Sequence, residues 1–203
     1  MRTRFVYFDL GNVLLGFSHE QAARQMAELA GCSYALAWEV VFGTGRLELA
    51  YEVGELSSPQ FHDLFCQQTN TQPPYEEFLL AGAAIFTPFQ QSWDIVSELK
   101  SRGHRLGILS NTCDAHWQYC AANYSLLLRE FVVECLSFRV GCMKPQAMIY
   151  ENAIAKAECD AEEIFFVDDR PENVAGARKL GIDAVLFVSP EQLRADLQQR
   201  ELL

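Results

Sequence analysis

From Pro88 onward, short apolar runs alternate with amphipathic segments, and this rhythm restricts the fold more than any other feature of the chain. Runs over 105–109, 131–138, 164–167 and 184–188 are rich in Val, Ile, Leu and Phe, the composition of buried strands. Between and after them, the spacing predicts helices over 90–102, 114–123, 145–157, 172–180 and 190–199. Pro145 falls in the first turn of the third, where a missing N–H is tolerated. Gly103 and Gly181 close the first and the fourth. Strands separated by helices pair in parallel, because only a long crossover returns the chain to the same sheet edge. The expected fold is therefore α/β: a Rossmann-like parallel sheet with helices on both faces. A further apolar run, starting at Arg4 and ending abruptly at Asp9, supplies the first strand.

Between that strand and residue 88 the pattern is helical. Ser18 is a fitting N-cap for a helix over 19–30, and Gly31 a fitting C-cap. Residues 34–42, 59–68 and 75–84 have helical spacing, and 48–56 adds another segment ended near Gly54. Gln72-Pro73-Pro74 breaks the pattern, and no strand is expected between 15 and 88. The expected division is a core of residues 1–15 and 88–203, with 16–87 inserted after strand one as a helical cap.

Charge narrows the partners. Sixteen basic and 27 acidic residues leave a net charge of −11, which disfavours nucleic acid and anionic membrane surfaces. The same field repels a phosphate ester, so an anionic substrate requires local cations or a metal. Seven cysteines occur without a C-x-x-C pair, which fits reduced, packed thiols better than disulfides or a zinc site. No apolar run approaches the roughly 20 residues of a membrane span. The first apolar stretch is interrupted by Asp9 and Asn12, unlike a signal peptide. These features point to the cytoplasm; the sequence assigns no oligomeric state.

Four polar signals stand at predicted strand ends or in loops: Asp9, Ser110-Asn111, Lys144 and Asp168-Asp169. Parallel strands bring their C-terminal ends to one edge, where such residues converge. The set holds a nucleophilic carboxylate, hydroxyl and amide donors, one cation and an acid pair. Hard oxygen ligands of this kind favour magnesium. Asp9 is placed to attack phosphorus covalently, with Lys144 and the metal holding charge on the transferring group.

These residues resemble the haloacid dehalogenase superfamily, most of whose members are Mg2+-dependent phosphohydrolases. Its four motifs occur in order: Asp9-Leu-Gly-Asn-Val13, Gly107-Ile-Leu-Ser110-Asn111, Gly141-Cys-Met-Lys144-Pro145, and Phe165-Phe-Val-Asp168-Asp169 followed by Asn173, Ala175 and Gly176. The variants are most similar to bacterial α-glucose-1-phosphate phosphatases and to the N-terminal phosphatase domain of epoxide hydrolases. The resemblance implies Asp9 as phosphoacceptor and metal ligand, and the Gly11 backbone carbonyl as a second ligand. It implies Asp169 as a direct carboxylate ligand, with Asp168 direct or through water. Ser110 and Asn111 are implied as phosphate donors, and Lys144 as the cation pairing Asp9 with phosphate. A small-molecule phosphate ester is the implied substrate and Mg2+ the implied cofactor.

Gly11 departs from the family pattern, which has a second aspartate there to protonate the leaving alcohol and then activate water. Losing such a group costs about 10²–10⁴-fold in rate. A sugar 1-phosphate, with its more acidic anomeric alcohol, tolerates that loss better than an ordinary ester. His19, at the edge of the cap, is the first candidate for a substitute proton source. Within the cap, Trp38, Arg46, Tyr51, Glu52 and His62 are weighed as substrate contacts against a packing role. Arg139 and Arg170 flank the motifs, Cys113 and Cys142 stand beside motifs two and three, and Asn173 reads as a helix-turn residue. Two other readings stay open: a 2-haloacid dehalogenase, which attacks carbon with the first aspartate and uses no metal, and a catalytically impaired binding protein on the same fold.

Overall fold

The computed structural model describes residues 3–203. Strands β1 (Phe5–Phe8), β4 (Arg105–Ser110), β5 (Val133–Leu136), β6 (Ile164–Asp168) and β7 (Asp183–Leu186) form one sheet in the order β5-β4-β1-β6-β7. Every pairing in it is parallel. Central β1 is wholly buried, which is why it reads as an unbroken apolar run and not as an alternation. In its register Phe8 stands opposite Ile108 on one side and Val167 on the other.

Side chains alternate between the two faces of the sheet. Val6, Phe8, Ile108 and Val167 face a layer formed by Trp93 and Leu99 of α6 (Gln90–Ser101), Trp117 of α7 (Asp114–Asn123) and Leu193 and Leu197 of α12 (Pro190–Gln199). Phe5, Tyr7, Leu109 and Phe166 face Ile149, Tyr150 and Ala153 of α10 (Ala147–Ala157) and Val174 and Ala177 of α11 (Pro171–Lys179). Fully burying one such Phe or Leu stabilises the fold by roughly 1.5–3 kcal/mol. The Tyr7 hydroxyl, deep in the second layer, donates to Ala153 O at 2.8 Å and is thereby satisfied.

Helices α1 (His19–Ala30), α2 (Tyr34–Val41), α3 (Leu47–Glu52), α4 (Ser58–Thr69) and α5 (Tyr75–Ala83) surround a third apolar cluster that includes Ala22, Met26, Val40, Phe61, Phe65 and Phe78. Ser18 caps α1 by accepting from Gln21 N, and Gly31 ends it in the left-handed conformation, φ 68°. The chain leaves and rejoins the sheet region through a two-residue antiparallel ribbon, β2 (Leu15–Gly16) with β3 (Thr87–Pro88). That ribbon is too short for any periodicity and was not expected from the sequence.

Three other elements differ from expectation. Pro145 is not in α10, which starts at Ala147 with Gln146 as its N-cap. The residue before it is held elsewhere: Lys144 N donates to Asn111 Oδ1 at 2.8 Å, and Asn111 Nδ2 donates to Lys144 O at 3.0 Å. The run over 131–138 is a strand only over Val133–Leu136; a short helix, α9 (Ser137–Val140), takes its end. The unanticipated α8 (Leu126–Glu130) precedes that strand. All seven cysteines are free. No helix among the described residues is long and apolar enough to cross a membrane.

Candidate active site

Because β1, β4 and β6 are adjacent and parallel, their C-terminal ends deliver Asp9, Ser110 and Asp168 to one edge of the sheet. Lys144 reaches the same edge from the loop between α9 and α10. All four are buried, with Asp9 the most accessible at 7%.

Lys144 is the organising charge. Its ammonium donates to Leu109 O at 2.9 Å and to Asp168 Oδ2 at 2.6 Å, and it lies 3.0 Å from Asp9 Oδ1. These are the three donors an ammonium has. Burial works against its charge, but Asp9 and Asp168 together hold it above the ordinary lysine range. Asp9 Oδ1 also accepts from Leu10 N at 2.7 Å. Burial pushes the Asp9 carboxyl upward, against the pull of Lys144 and aided by the charge of Asp168.

Asp168 is saturated. Oδ1 accepts from Arg170 N at 2.9 Å and from Asn173 Nδ2 at 3.0 Å; Oδ2 accepts from Lys144 and again from Asn173 at 3.2 Å. A carboxylate has about four lone-pair sites, and all four are used here. Asp169 is different. It is half-buried and accepts from Asn12 Nδ2 at 3.0 Å, while Asn12 adopts a left-handed φ of 54° that this short polar side chain tolerates. Burial raises the Asp169 carboxyl, and the Asn12 bond opposes that rise. Oxygens of Asp9, Asp168 and Asp169 lie within 4.8 Å of one another.

This set fits a divalent cation. Three carboxylates and one ammonium sum to −3 + 1 = −2, and the donors are all hard oxygens. Since Asp168 is committed to nitrogen donors, Asp9 and Asp169 are the carboxylates with capacity left to hold a metal. Burial drives both carboxyls upward, and the charge of Asp168 adds to each rise.

Ser110 is buried, and its hydroxyl favours the charged form of Asp9. The Asn111 side chain does not reach toward a ligand; both its polar atoms clamp the Lys144 main chain. Gly176 lets α11 approach closely, since a Cβ there would lie 2.9 Å from Pro145 O. Gly11 sits where a side chain has no room: a Cβ there would lie 2.7 Å from Cε1 of Phe17.

Above Gly11 is a small pocket lined by Leu10, Phe17, His19, Glu52, Ser110 and His116, among others. His19 Nε2 lies 2.8 Å from Glu48 Oε1. Although burial opposes it, that carboxylate holds the His19 imidazolium above its ordinary range. Burial instead pushes His116 down to about 4, leaving a neutral ring.

Asp9, Ser110, Lys144, Asp168 and Asp169, expected to converge, do so. Of the weighed cap residues, Tyr51 stacks on Phe61 and His62 packs against Tyr75 and Phe78, both packing roles. Arg46 is exposed at the start of α3 and Trp38 sits in an aromatic cluster with Tyr34 and Phe42. Glu52 alone of the five lines the pocket over Gly11. Arg139 pairs with Glu134 and Arg170 with Glu172, so each has a local partner. Sequence reasoning understated Asn173, which holds both oxygens of Asp168, and did not find Asn12, Phe17, Glu48 or His116. For Asn173, the signal available was its spacing of five residues from Asp168, one turn into the following helix.

Comparison with known proteins places this architecture. The family model described as haloacid dehalogenase-like hydrolase matches residues 3–181. A glyceraldehyde 3-phosphate phosphatase of Methanothermobacter thermautotrophicus is 31% identical over 109 residues, 52% of this chain and 47% of that protein. The chain thus spans about half the length of that curated relative. A HAD family enzyme from Bacteroides thetaiotaomicron, solved in complex with magnesium and inorganic phosphate, superposes with a TM-score of 0.79 at 21% identity, covering 91% of this chain and 93% of that one. A HAD-like family hydrolase from Porphyromonas gingivalis gives 0.80 at 24% identity, covering 98% of each. With the family model spanning most of its length, the chain belongs to the haloacid dehalogenase-like hydrolases.

Proposed function

We propose that the protein is a Mg2+-dependent phosphohydrolase of small phosphorylated metabolites, sugar phosphates among them, acting through an aspartyl-phosphate on Asp9. The observation that carries this reading is the trio of Asp9, Asp168 and Asp169 within 4.8 Å, faced by one buried lysine. A metal-free attack on carbon has no use for that acidity. The relative named as a phosphatase and the neighbour solved in complex with magnesium and inorganic phosphate support the same class.

Asp9 and Asp169 would hold the metal, with the Gly11 carbonyl as a further oxygen, while Asp168 orients Lys144. The ion supplies Lewis-acid charge for phosphate oxygens. Asp9 attacks phosphorus, and the bond to the leaving oxygen breaks. Lys144 neutralises charge between Asp9 and the phosphoryl group. Ser110 and the Asn111 backbone N–H donate to phosphoryl oxygens. Residues 16–87 act as the cap that closes over the substrate and selects it.

The test is turnover of an aryl phosphate with Mg2+, by the parent chain and by Asp9→Asn, with mass spectrometry for a phosphate adduct on Asp9. Asp9→Asn and chelation of the metal are each expected to abolish hydrolysis. Full activity in either condition overturns the proposal. Metal-free chloride release from 2-chloropropionate would assign the dehalogenase reaction instead.

A further inference from the structure

The family's second aspartate is absent at Gly11, and its place is filled by a ring. A Cβ on Gly11 would meet Phe17 Cε1 at 2.7 Å, and that ring packs 5.1 Å from His19 and 5.9 Å from Phe86 between centroids. The small pocket over Gly11, beside Asp9 in sequence, is nevertheless not apolar. The pocket over Gly11 holds one carboxyl, Glu52, delivered by the last residue of α3.

Its main chain is anchored. The Glu52 carbonyl accepts from the Ser137 hydroxyl at 2.6 Å, which ties the end of α3 to the start of α9. Ser137 Oγ in turn accepts from Thr112 N at 2.9 Å, two residues past Ser110. The Glu52 side chain has no hydrogen-bond or ion-pair partner among the described residues, whereas Glu48, one turn earlier, has His19. A carboxyl that lines a site without a protein partner is available to a ligand.

We propose that Glu52 is the general acid–base of this enzyme, reaching the leaving oxygen from the cap where the family aspartate would reach it from position 11. This inference rests on the phosphohydrolase reading and deepens it. In the first step Asp9 bonds to phosphorus, the P–O bond to the leaving group breaks, and its electron pair takes the Glu52 proton. The products are a neutral alcohol, phospho-Asp9 and a Glu52 carboxylate. In the second step that carboxylate takes a proton from water as the water oxygen bonds to phosphorus. The bond to Asp9 breaks, and inorganic phosphate leaves with Glu52 reprotonated.

The electrostatics agree with this cycle. Burial, with Glu48 and Asp9 adding to it and His19 and Arg170 opposing, pushes Glu52 up to about 8, so it carries its proton at neutral pH. His116, the other titratable side chain in the pocket besides His19, is held neutral by burial and has no proton to give.

The experiment compares the parent with Glu52→Gln on two substrates, a sugar phosphate and p-nitrophenyl phosphate, whose leaving group needs no proton. On the sugar phosphate the variant is expected to lose about 10²-fold or more in rate, the usual weight of acid–base catalysis. On the aryl ester it is expected to release one equivalent of p-nitrophenol in a burst and then stall as phospho-Asp9. Glu52→Asp, which retracts the carboxyl by one methylene and keeps its charge, is expected to lose activity on the sugar phosphate and to give the same burst and slow turnover on the aryl ester; it decides the matter should Glu52→Gln not fold. Parent-like turnover of the sugar phosphate by Glu52→Gln, or equal loss on both substrates without a burst, overturns the inference alone. Failure of the parent chain to phosphorylate Asp9 with either substrate overturns the phosphohydrolase reading and this inference with it.

Discussion

The ring of Phe17 occupies the space that a side chain on Gly11 would need, with Cε1 2.7 Å from the position of the absent Cβ. Gly11 has no left-handed φ, so the requirement is for room and not for conformational freedom. Overpacking of this kind costs about 1–3 kcal/mol. Gly11→Ala is therefore expected to lower the melting temperature by roughly 2–12 °C for a chain of this size. Phe17→Ala in the same molecule is expected to remove most of that penalty. A double-mutant cycle measures it: additive melting shifts would show that ring and glycine do not compete.

Lys144 is expected to be indispensable to both stability and chemistry. Removing it leaves Asp9 and Asp168 facing each other, buried and without their shared cation. Breaking a buried pair in this way costs about 3–5 kcal/mol. Lys144→Ala should lose activity and show a matching drop in stability by denaturant titration. Lys144→Arg should not restore activity, because a planar fork cannot reproduce three contacts within 3.0 Å of one nitrogen. Wild-type activity in the arginine variant would refute the point-charge role.

In the proposed metal site, Asn173 would decide which acid of the pair is left for the ion. By donating to both oxygens of Asp168 it completes that side chain's hydrogen bonds and leaves Asp169 as the available carboxylate of the pair. Asn173→Ala should weaken Mg2+ dependence modestly, seen as a higher metal concentration for half activity. Asn173→Asp brings a like charge within reach of a buried carboxylate and should be the more damaging of the two, in melting temperature and in activity. The reverse ranking would mean that Asn173 serves only its own helix.

Much of the sheet and of the site beside it was legible because the signals are local. Buried parallel strands announce themselves as apolar runs, and their polar C-terminal residues mark the edge where ligands bind. Asp9, Ser110 and Asp168 could be placed together for that reason alone. What stayed hidden depends on contacts between distant segments. The Lys144 loop is shaped by Asn111, 33 residues away, so Pro145 misled as a helix start. Phe17 reads as one more apolar residue until it lies on Gly11, and Glu52 stands out from the other four weighed cap residues only once Ser137, 85 residues on, anchors its carbonyl beside the pocket.

Stability is expected to respond to pH in opposite senses through two side chains of one pocket. His116 is held near 4 by burial, below its ordinary 6.5. Its neutral form is compatible with the fold, so its contribution is present above pH 6.5 and is lost as pH falls toward 4, where the unfolded chain takes up the proton. Glu52 is raised from 4.5 to about 8. Its contribution is complete below pH 4.5 and is lost as pH rises from 4.5 through 8, an interval in which the unfolded carboxyl is ionised while the folded one still holds its proton. Denaturant titrations from pH 4 to 9 should therefore show Glu52→Gln removing the fall in metal-free stability between pH 4.5 and 8, and His116→Gln removing the loss that sets in as pH drops from 6.5 toward 4. The assignment fails if either substitution shifts the profile uniformly and leaves its slope unchanged.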